Sequence, residues 1–183
     1  MPAARIAEPG IAAAYLPLQG RVRLGLEKVA GAAMVIAPGI AVTNAHNADL
    51  VDPSSVIGVA RQSDLMFFRV MDGRASAATA PPQIGEPVTA YGQGTDGSLR
   101  QAHGVVQQIV TIPGYAKSPY FIYAAPGGPG FSGGPVVDAA GRLVGITFGY
   151  KDRGRMRLVY AYNLARVQAE FSGLSKDRAK PQN

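Results

Sequence analysis

Cysteine is absent from the 183-residue chain. No disulfide, no thiolate nucleophile and no sulfur-based zinc site can be built from it. Tryptophan is absent too, and there are only two histidines, His46 and His103, so a metal site would need carboxylates that the sequence does not place beside them. No cofactor and no metal are expected. Charged residues are scarce at 16%, and no apolar run reaches membrane-spanning length. The longest early apolar stretch, "IAAAYLPL" (11–18), is broken by Pro17 and preceded by a single basic residue, Arg5. It lacks a secretory cleavage pattern, so the compartment stays open: cytoplasmic, or periplasmic or secreted if a signal was removed.

What the chain does have is 23 glycines, 14 prolines and 47% apolar residues. That balance favours short strands and frequent turns over long helices, and the length suffices to bury a core without staples. The expected class is all-β. The net charge is +6, with basic residues in "RVR" (21–23), "KDRGRMR" (151–157) and "SKDRAK" (175–180). No nucleic-acid-binding pattern accompanies them and no aromatics interleave, so they read as solvated loops and a tail, and neither nucleic acid nor membrane is an expected partner.

Along the chain, "VAGAAMVIAPGIAVTNAH" (29–46) holds two apolar runs around Pro38-Gly39, a hairpin signal. "SVIGVA" (55–60) and "DLMFFRV" (64–70) read as further strands, the second buried on both faces. The small, proline-rich stretch 75–87 reads as a linker between an N-terminal unit, 1–78, and a C-terminal unit, 79–183. The second unit continues with "PVTAYG", "HGVVQQIVTI", "YFIYAA", "GPVVDAAGRLVGITFGY" and "RLVYAY", all strand-like. One helix is expected from Asn163, with Leu164, Val167, Phe171 and Leu174 on one face and a frayed tail beyond Ser175.

Two motif matches fail on context. "GQGTDG" (92–97) fits a dinucleotide fingerprint as a string, but a strand-like segment follows where a helix is required, so it reads as a hairpin turn. "GFSGG" (130–134) fits a nucleophile elbow, but Pro135 and a strand follow, and both histidines precede Ser132. What remains is the order His46, Asp64, Ser132. A serine hydroxyl needs a base to take its proton, and the base needs an acceptor to fix its tautomer; these three types supply the roles. Gly130, Gly133 and Gly134 let the loop turn so that N–H groups can converge on an oxyanion. His103 has no evident partner and reads as a surface residue.

"TNAH" (43–46), "SDLMFFRV" (63–70) and "GPGFSGGPVVDAAGRLVGI" (128–146) together resemble the signature segments of trypsin-like serine proteases of the chymotrypsin fold, and most of all the HtrA-like protease domain. "VTAYGQGTDGSLRQAHGVVQQI" (88–109) resembles that domain's opening hairpin of the second barrel. The resemblance implies two antiparallel six-stranded barrels with a C-terminal helix closing the second. It implies His46 as general base, Asp64 as its orienting carboxylate, Ser132 as nucleophile, and the backbone N–H groups of Gly130 and Ser132 as the oxyanion hole. Substrate would run along Thr147, Phe148 and Gly149, with Thr147 helping to hold Asp64. The specificity pocket would be walled by Pro126, Gly127, Gly128 and Pro129 on one side and Phe148-Gly149 on the other; these uncharged walls suggest an apolar residue before the scissile bond. The partner implied is a protein or peptide substrate, the reaction endopeptidase cleavage through a serine ester; oligomeric state is not indicated.

The sequence departs from that pattern at Phe131, where activated trypsins have an aspartate and HtrA-like enzymes a small polar residue. Activation by a freed N-terminal amine has no acceptor here. An alternative follows: a protease-fold binding or regulatory module whose triad is latent. The 18-residue interval from His46 to Asp64 implies a trimmed first barrel, and the residues after Phe171 leave no room for a PDZ domain. The basic "KDRGRMR" loop is expected near the cleft, favouring acidic residues around the cut.

Overall fold

The computed structural model describes residues 14–20, 30–71, 78–94, 96–112, 119–154 and 156–178, with side chains described to Leu174. The "RVR" cluster, the first part of the linker, Arg155 and the tail after Arg178 lie outside the described residues.

The first half is a five-stranded antiparallel sheet. Its strands are β1 (Tyr15–Gln19), β2 (Ala30–Ala37), β3 (Ile40–Thr43), β4 (Val56–Val59) and β5 (Met66–Arg69), in the order β1-β2-β3-β5-β4. The β2–β3 hairpin turns at Pro38-Gly39, where Gly39 adopts φ 74°, the left-handed geometry a type II turn demands after proline. β5 is flanked by β3 and β4, which explains its unbroken buried run Met66-Phe67-Phe68.

The second half is a closed barrel of β6 (Pro87–Gln93), β7 (Leu99–Val110), β8 (Tyr120–Ala125), β9 (Pro135–Asp138), β10 (Leu143–Arg153) and β11 (Met156–Asn163), ordered β10-β11-β8-β7-β6-β9. Alternation fills it: Val88 and Ala90, Phe121 and Tyr123, and Val159 and Ala161 pack together inside. Within "GQGTDG", Gly92 and Gln93 end β6, and Gly97 N–H donates to the Gly94 carbonyl at 2.9 Å in the turn before β7. Thus the class is all-β and chymotrypsin-like, with six strands in the second unit and five in the first among the described residues.

The halves share one core: Met34, Val42 and Phe67 pack with Tyr91, Val137, Leu143 and Ile146. The linker ends by docking on β10, where Ala80 N–H meets the Leu143 carbonyl at 2.8 Å and Leu143 N–H meets the Ala78 carbonyl at 2.7 Å. The C-terminal helix, α1 (Leu164–Arg178), starts as expected, with Asn163 Oδ1 accepting from Arg166 N–H at 2.8 Å. Its position differs from the expectation. The barrel closes through β9, which pairs with both β6 and β10. The helix instead lays its apolar stripe across the seam: Leu164 and Val167 join the shared core, the Phe171 ring lies 5.2 Å from Phe67, and Leu174 covers Gly58. It also stays helical to Arg178, beyond the expected end of order at Ser175.

Candidate active site

β3 ends at Thr43, and after Asn44 the chain enters a 3₁₀ turn, Ala45–Leu50, which carries His46. Asp64 sits two residues before β5, which pairs with β3, so the two side chains meet at the same end of the sheet. Asp64 Oδ2 contacts His46 Nδ1 at 2.5 Å, and its Oδ1 accepts His46 N–H at 3.1 Å. The carboxylate therefore fixes both ring and backbone of the histidine. Its own main chain is held by Asn44 Nδ2 donating to the Asp64 carbonyl at 2.9 Å and by Asp64 N–H donating to the Tyr162 hydroxyl at 3.0 Å. The His46 ring is about half exposed, so its far edge is open to a ligand.

Ser132 comes from the second half, between β8 and β9. Its carbonyl accepts Ala32 N–H at 3.0 Å and Asn47 Nδ2 at 3.0 Å, so the residue after His46 holds the serine's main chain. Asn47 also donates to Thr43 Oγ1 at 3.0 Å, and Thr43 donates to the Ala32 carbonyl at 2.7 Å, closing a buried ring of polar contacts. The Ser132 hydroxyl makes no hydrogen bond among the described residues. The structure thus joins His46 to Asp64 side chain to side chain, and brings in Ser132 through its backbone.

Upstream, Phe131 N–H donates to the Gly128 carbonyl at 3.2 Å across Pro129-Gly130, and Gly130 has φ 88°. Proline followed by a left-handed glycine is the type II signature, which fixes the orientation of the Pro129-Gly130 peptide and hence of the Gly130 N–H. A Cβ at Gly130 would collide with the Gln93 carbonyl, so glycine is required there. The Gly130 carbonyl accepts Gln93 N–H at 2.9 Å. Neither Gly130 N–H nor Ser132 N–H makes a hydrogen bond among the described residues, so both donors remain available to an anionic oxygen.

Phe131, the departure from the family pattern, is buried inside the barrel with Val88, Ala90, Ala102 and Val136. Gly92 makes room for it: a Cβ there would stand 2.6 Å from Phe131 Cγ. The loop is therefore anchored by an apolar side chain.

One sequence expectation is corrected. Thr147 does not hold Asp64. It is buried, its Oγ1 pairs with the Tyr123 hydroxyl at 3.0 Å, and its N–H and carbonyl bond to Gly134 and Gly133 at 3.0 and 2.8 Å. Its hydroxyl, its N–H and one lone pair of its carbonyl are thus engaged inside the second unit. The physical reason is the bulge between Thr147 and Gly149, which turns Thr147 inward and Phe148 outward onto Tyr162, ring centroids 4.1 Å apart. Pro126 and Pro129 are exposed and Gly127 and Gly128 buried, as walls without charge, yet Arg157 of β11 reaches in and donates to the Gly127 carbonyl at 2.9 Å.

Sequence reasoning passed over Asn47 and Tyr162. "TNAHN" does place a second asparagine beside His46, but nothing local shows that it faces Ser132. His103 is exposed on β7, 3.0 Å from Thr89 Oγ1. Among the described residues no group of three or more His, Asp or Glu is placed to hold a metal, and no helix is long and apolar enough to cross a membrane.

This double-unit fold, with a His–Asp pair on one half and a glycine-framed serine on the other, is matched by known proteins. The family model of the trypsin-like peptidase domain matches residues 29–146, which include His46, Asp64 and Ser132. The chain belongs to that family. Its fold is similar to that of Rv3671c from M. tuberculosis H37Rv in an inactive form, with a TM-score of 0.72 at 18% identity, covering 96% of this chain and 93% of that one. The serine endoprotease from Yersinia pestis gives 0.72 at 18% identity, with 92% and 65% covered. The HtrA-type protease AlgW with a tripeptide gives 0.72 at 18%, with 90% and 61% covered. No curated protein matches the sequence. At such identity these structural likenesses concern the fold.

Proposed function

We propose that the protein is a serine endopeptidase acting through His46, Asp64 and Ser132, with Gly130 and Ser132 N–H as oxyanion hole. The observation that carries this is the Asn47 bridge: the residue after the Asp64-clamped histidine holds the Ser132 carbonyl at 3.0 Å, so base and nucleophile belong to one hydrogen-bonded unit. The His46 Nδ1 contact with Asp64 favours the tautomer whose Nε2 accepts a proton. In the reaction, Ser132 Oγ attacks a peptide carbonyl and gives its proton to His46, and the oxyanion is met by the two free N–H groups. His46 then protonates the leaving amine, and the resulting serine ester is hydrolysed by water with His46 again as base. No cofactor takes part in this scheme. The two units, 1–78 and 79–183, each supply part of the site, and a protein or peptide chain is the substrate. A Ser132 hydroxyl without a hydrogen bond suits this scheme, because such bonds often tighten only with substrate bound.

That same hydroxyl supports a second reading, a latent protease-fold module that binds a partner without cleaving it. Fluorophosphonate labelling of the wild type beside Ser132→Ala, with mass mapping of the adduct, separates them. Labelling at Ser132 that vanishes in the variant is the expected result. A folded wild type that stays unlabelled would reject the endopeptidase and leave the binding module.

A further inference from the structure

We propose that Arg157 reads the residue immediately before the scissile bond and selects an acidic side chain there, an inference that rests on the endopeptidase reading above. If Gly130 and Ser132 hold the oxygen of the attacked carbonyl, the residue bearing that carbonyl lies against the stretch just upstream, Gly127 to Pro129. That stretch leaves the end of β8, where Ala125 is paired with Arg157. Arg157 therefore stands beside the same stretch.

The guanidinium is held from three directions. One N–H donates to the Gly127 carbonyl at 2.9 Å, Nε donates to Asp152 Oδ1 at 2.7 Å, and the group lies 4.7 Å over the Tyr150 ring centroid. A Cβ at Gly128 would run into the guanidinium, so a side chain there would push the arginine's tip aside. Behind Gly127 lies the apolar barrel core, with Ala102 and Val159 each 3.7 Å from the space where a Cβ would stand. The result is a fixed cation set beside the Gly127-Gly128 backbone.

Two of the five donors of a guanidinium are committed, to Gly127 and Asp152, which leaves three that meet nothing among the described residues. A substrate carboxylate can take two of them side by side. The internal partner is a weak competitor, because the Asp152 side chain is 70% exposed and Arg157 34%. Lys151 and Arg153, exposed on the same hairpin, add positive charge nearby. A large apolar side chain would instead have to cover the arginine's free donors without pairing them, which is unfavourable. The uncharged walls had suggested apolar substrates; Arg157 reverses that preference.

The test is a fluorogenic peptide library varied only at the residue before the scissile bond, read as the Glu-to-Gln ratio of kcat/KM. In parallel, the Ser132→Ala protein is titrated with peptide amides ending in Glu or Gln, which needs no catalysis. The wild type is expected to favour Glu by about tenfold or more. Arg157→Gln should bring the ratio to about one, Arg157→Lys should leave an intermediate value, and Asp152→Asn should raise it. Melting curves check that each variant folds. A ratio unchanged in Arg157→Gln, or equal binding of the two peptides by Ser132→Ala, overturns the proposal. Absent fluorophosphonate labelling would instead strike the endopeptidase reading, while the binding titration still decides on Arg157.

Discussion

Asn47 Nδ2 donates to the Ser132 carbonyl at 3.0 Å while its neighbour His46 is clamped by Asp64, so one asparagine couples the two halves of the site. Both groups are held inside the seam between the units, where a lost partner is not replaced by water at no cost. Asn47→Ala should lower stability by about 1–3 kcal/mol. It should also slow fluorophosphonate labelling of Ser132 at temperatures where the fold is intact. Labelling at the wild-type rate in a folded Asn47→Ala protein would show that the bridge serves stability only.

Asp64→Asn should lower turnover by on the order of ten-thousand-fold, because an amide donating to Nδ1 selects the wrong imidazole tautomer. Tyr162→Phe is a milder test. It keeps the stack on Phe148 but removes the oxygen that accepts Asp64 N–H, at a cost of about 1–3 kcal/mol in stability. Steady-state kinetics on any cleaved peptide measure the first and a urea midpoint the second, and a fully active Asp64→Asn enzyme would remove the carboxylate from the mechanism.

The apolar anchor of the serine loop gives a third prediction. Phe131→Ala empties a buried site and should cost about 3–5 kcal/mol, whereas Phe131→Leu keeps most of the anchor. Gly92→Ala acts from the opposite side, since its Cβ would stand 2.6 Å from Phe131 Cγ and 2.8 Å from its Cα. Overpacking of that kind costs about 1–3 kcal/mol. All three are read by denaturant midpoints together with labelling rates; Gly92→Ala behaving as wild type in both would contradict the contact.

Alkaline pH tests the core. Burial pushes the Tyr15 hydroxyl up to about 12 from an ordinary value of 10.0. Burial also raises Tyr123, opposed in part by its hydrogen bond with Thr147. Because the folded values lie above the unfolded one, this stability is fully present below pH 10 and is lost as pH rises toward the folded values. The urea midpoint should therefore fall steadily above pH 10, and a flat midpoint to pH 12 would contradict the burial of these rings.

Much of the architecture is legible along the chain. The Pro38-Gly39 hairpin, the buried run of β5, the helix cap at Asn163 and the stripe Leu164, Val167, Phe171 and Leu174 all rest on neighbours within a few residues. The site is legible in its residue types and their order. Its connections are not, because the partners are far apart in sequence: Asn47 and Ser132 by 85 residues, Asp64 and Tyr162 by 98, Gly127 and Arg157 by 30.

By itself, then, the sequence determined an all-β chain of short strands and turns, carrying His46, Asp64 and Ser132 in that order. Local periodicity and turn chemistry suffice for that, since each strand's alternation and each glycine's backbone freedom are properties of a few adjacent residues. Only the tertiary structure decided what those residues touch. A bulge between Thr147 and Gly149 turns Thr147 onto Tyr123 and leaves Asp64 to Tyr162, and the pairing of β8 with β11 sets Arg157 against Gly127. Bulges and cross-strand register arise from the whole closed barrel, so the direction a side chain takes there is not written in its own segment.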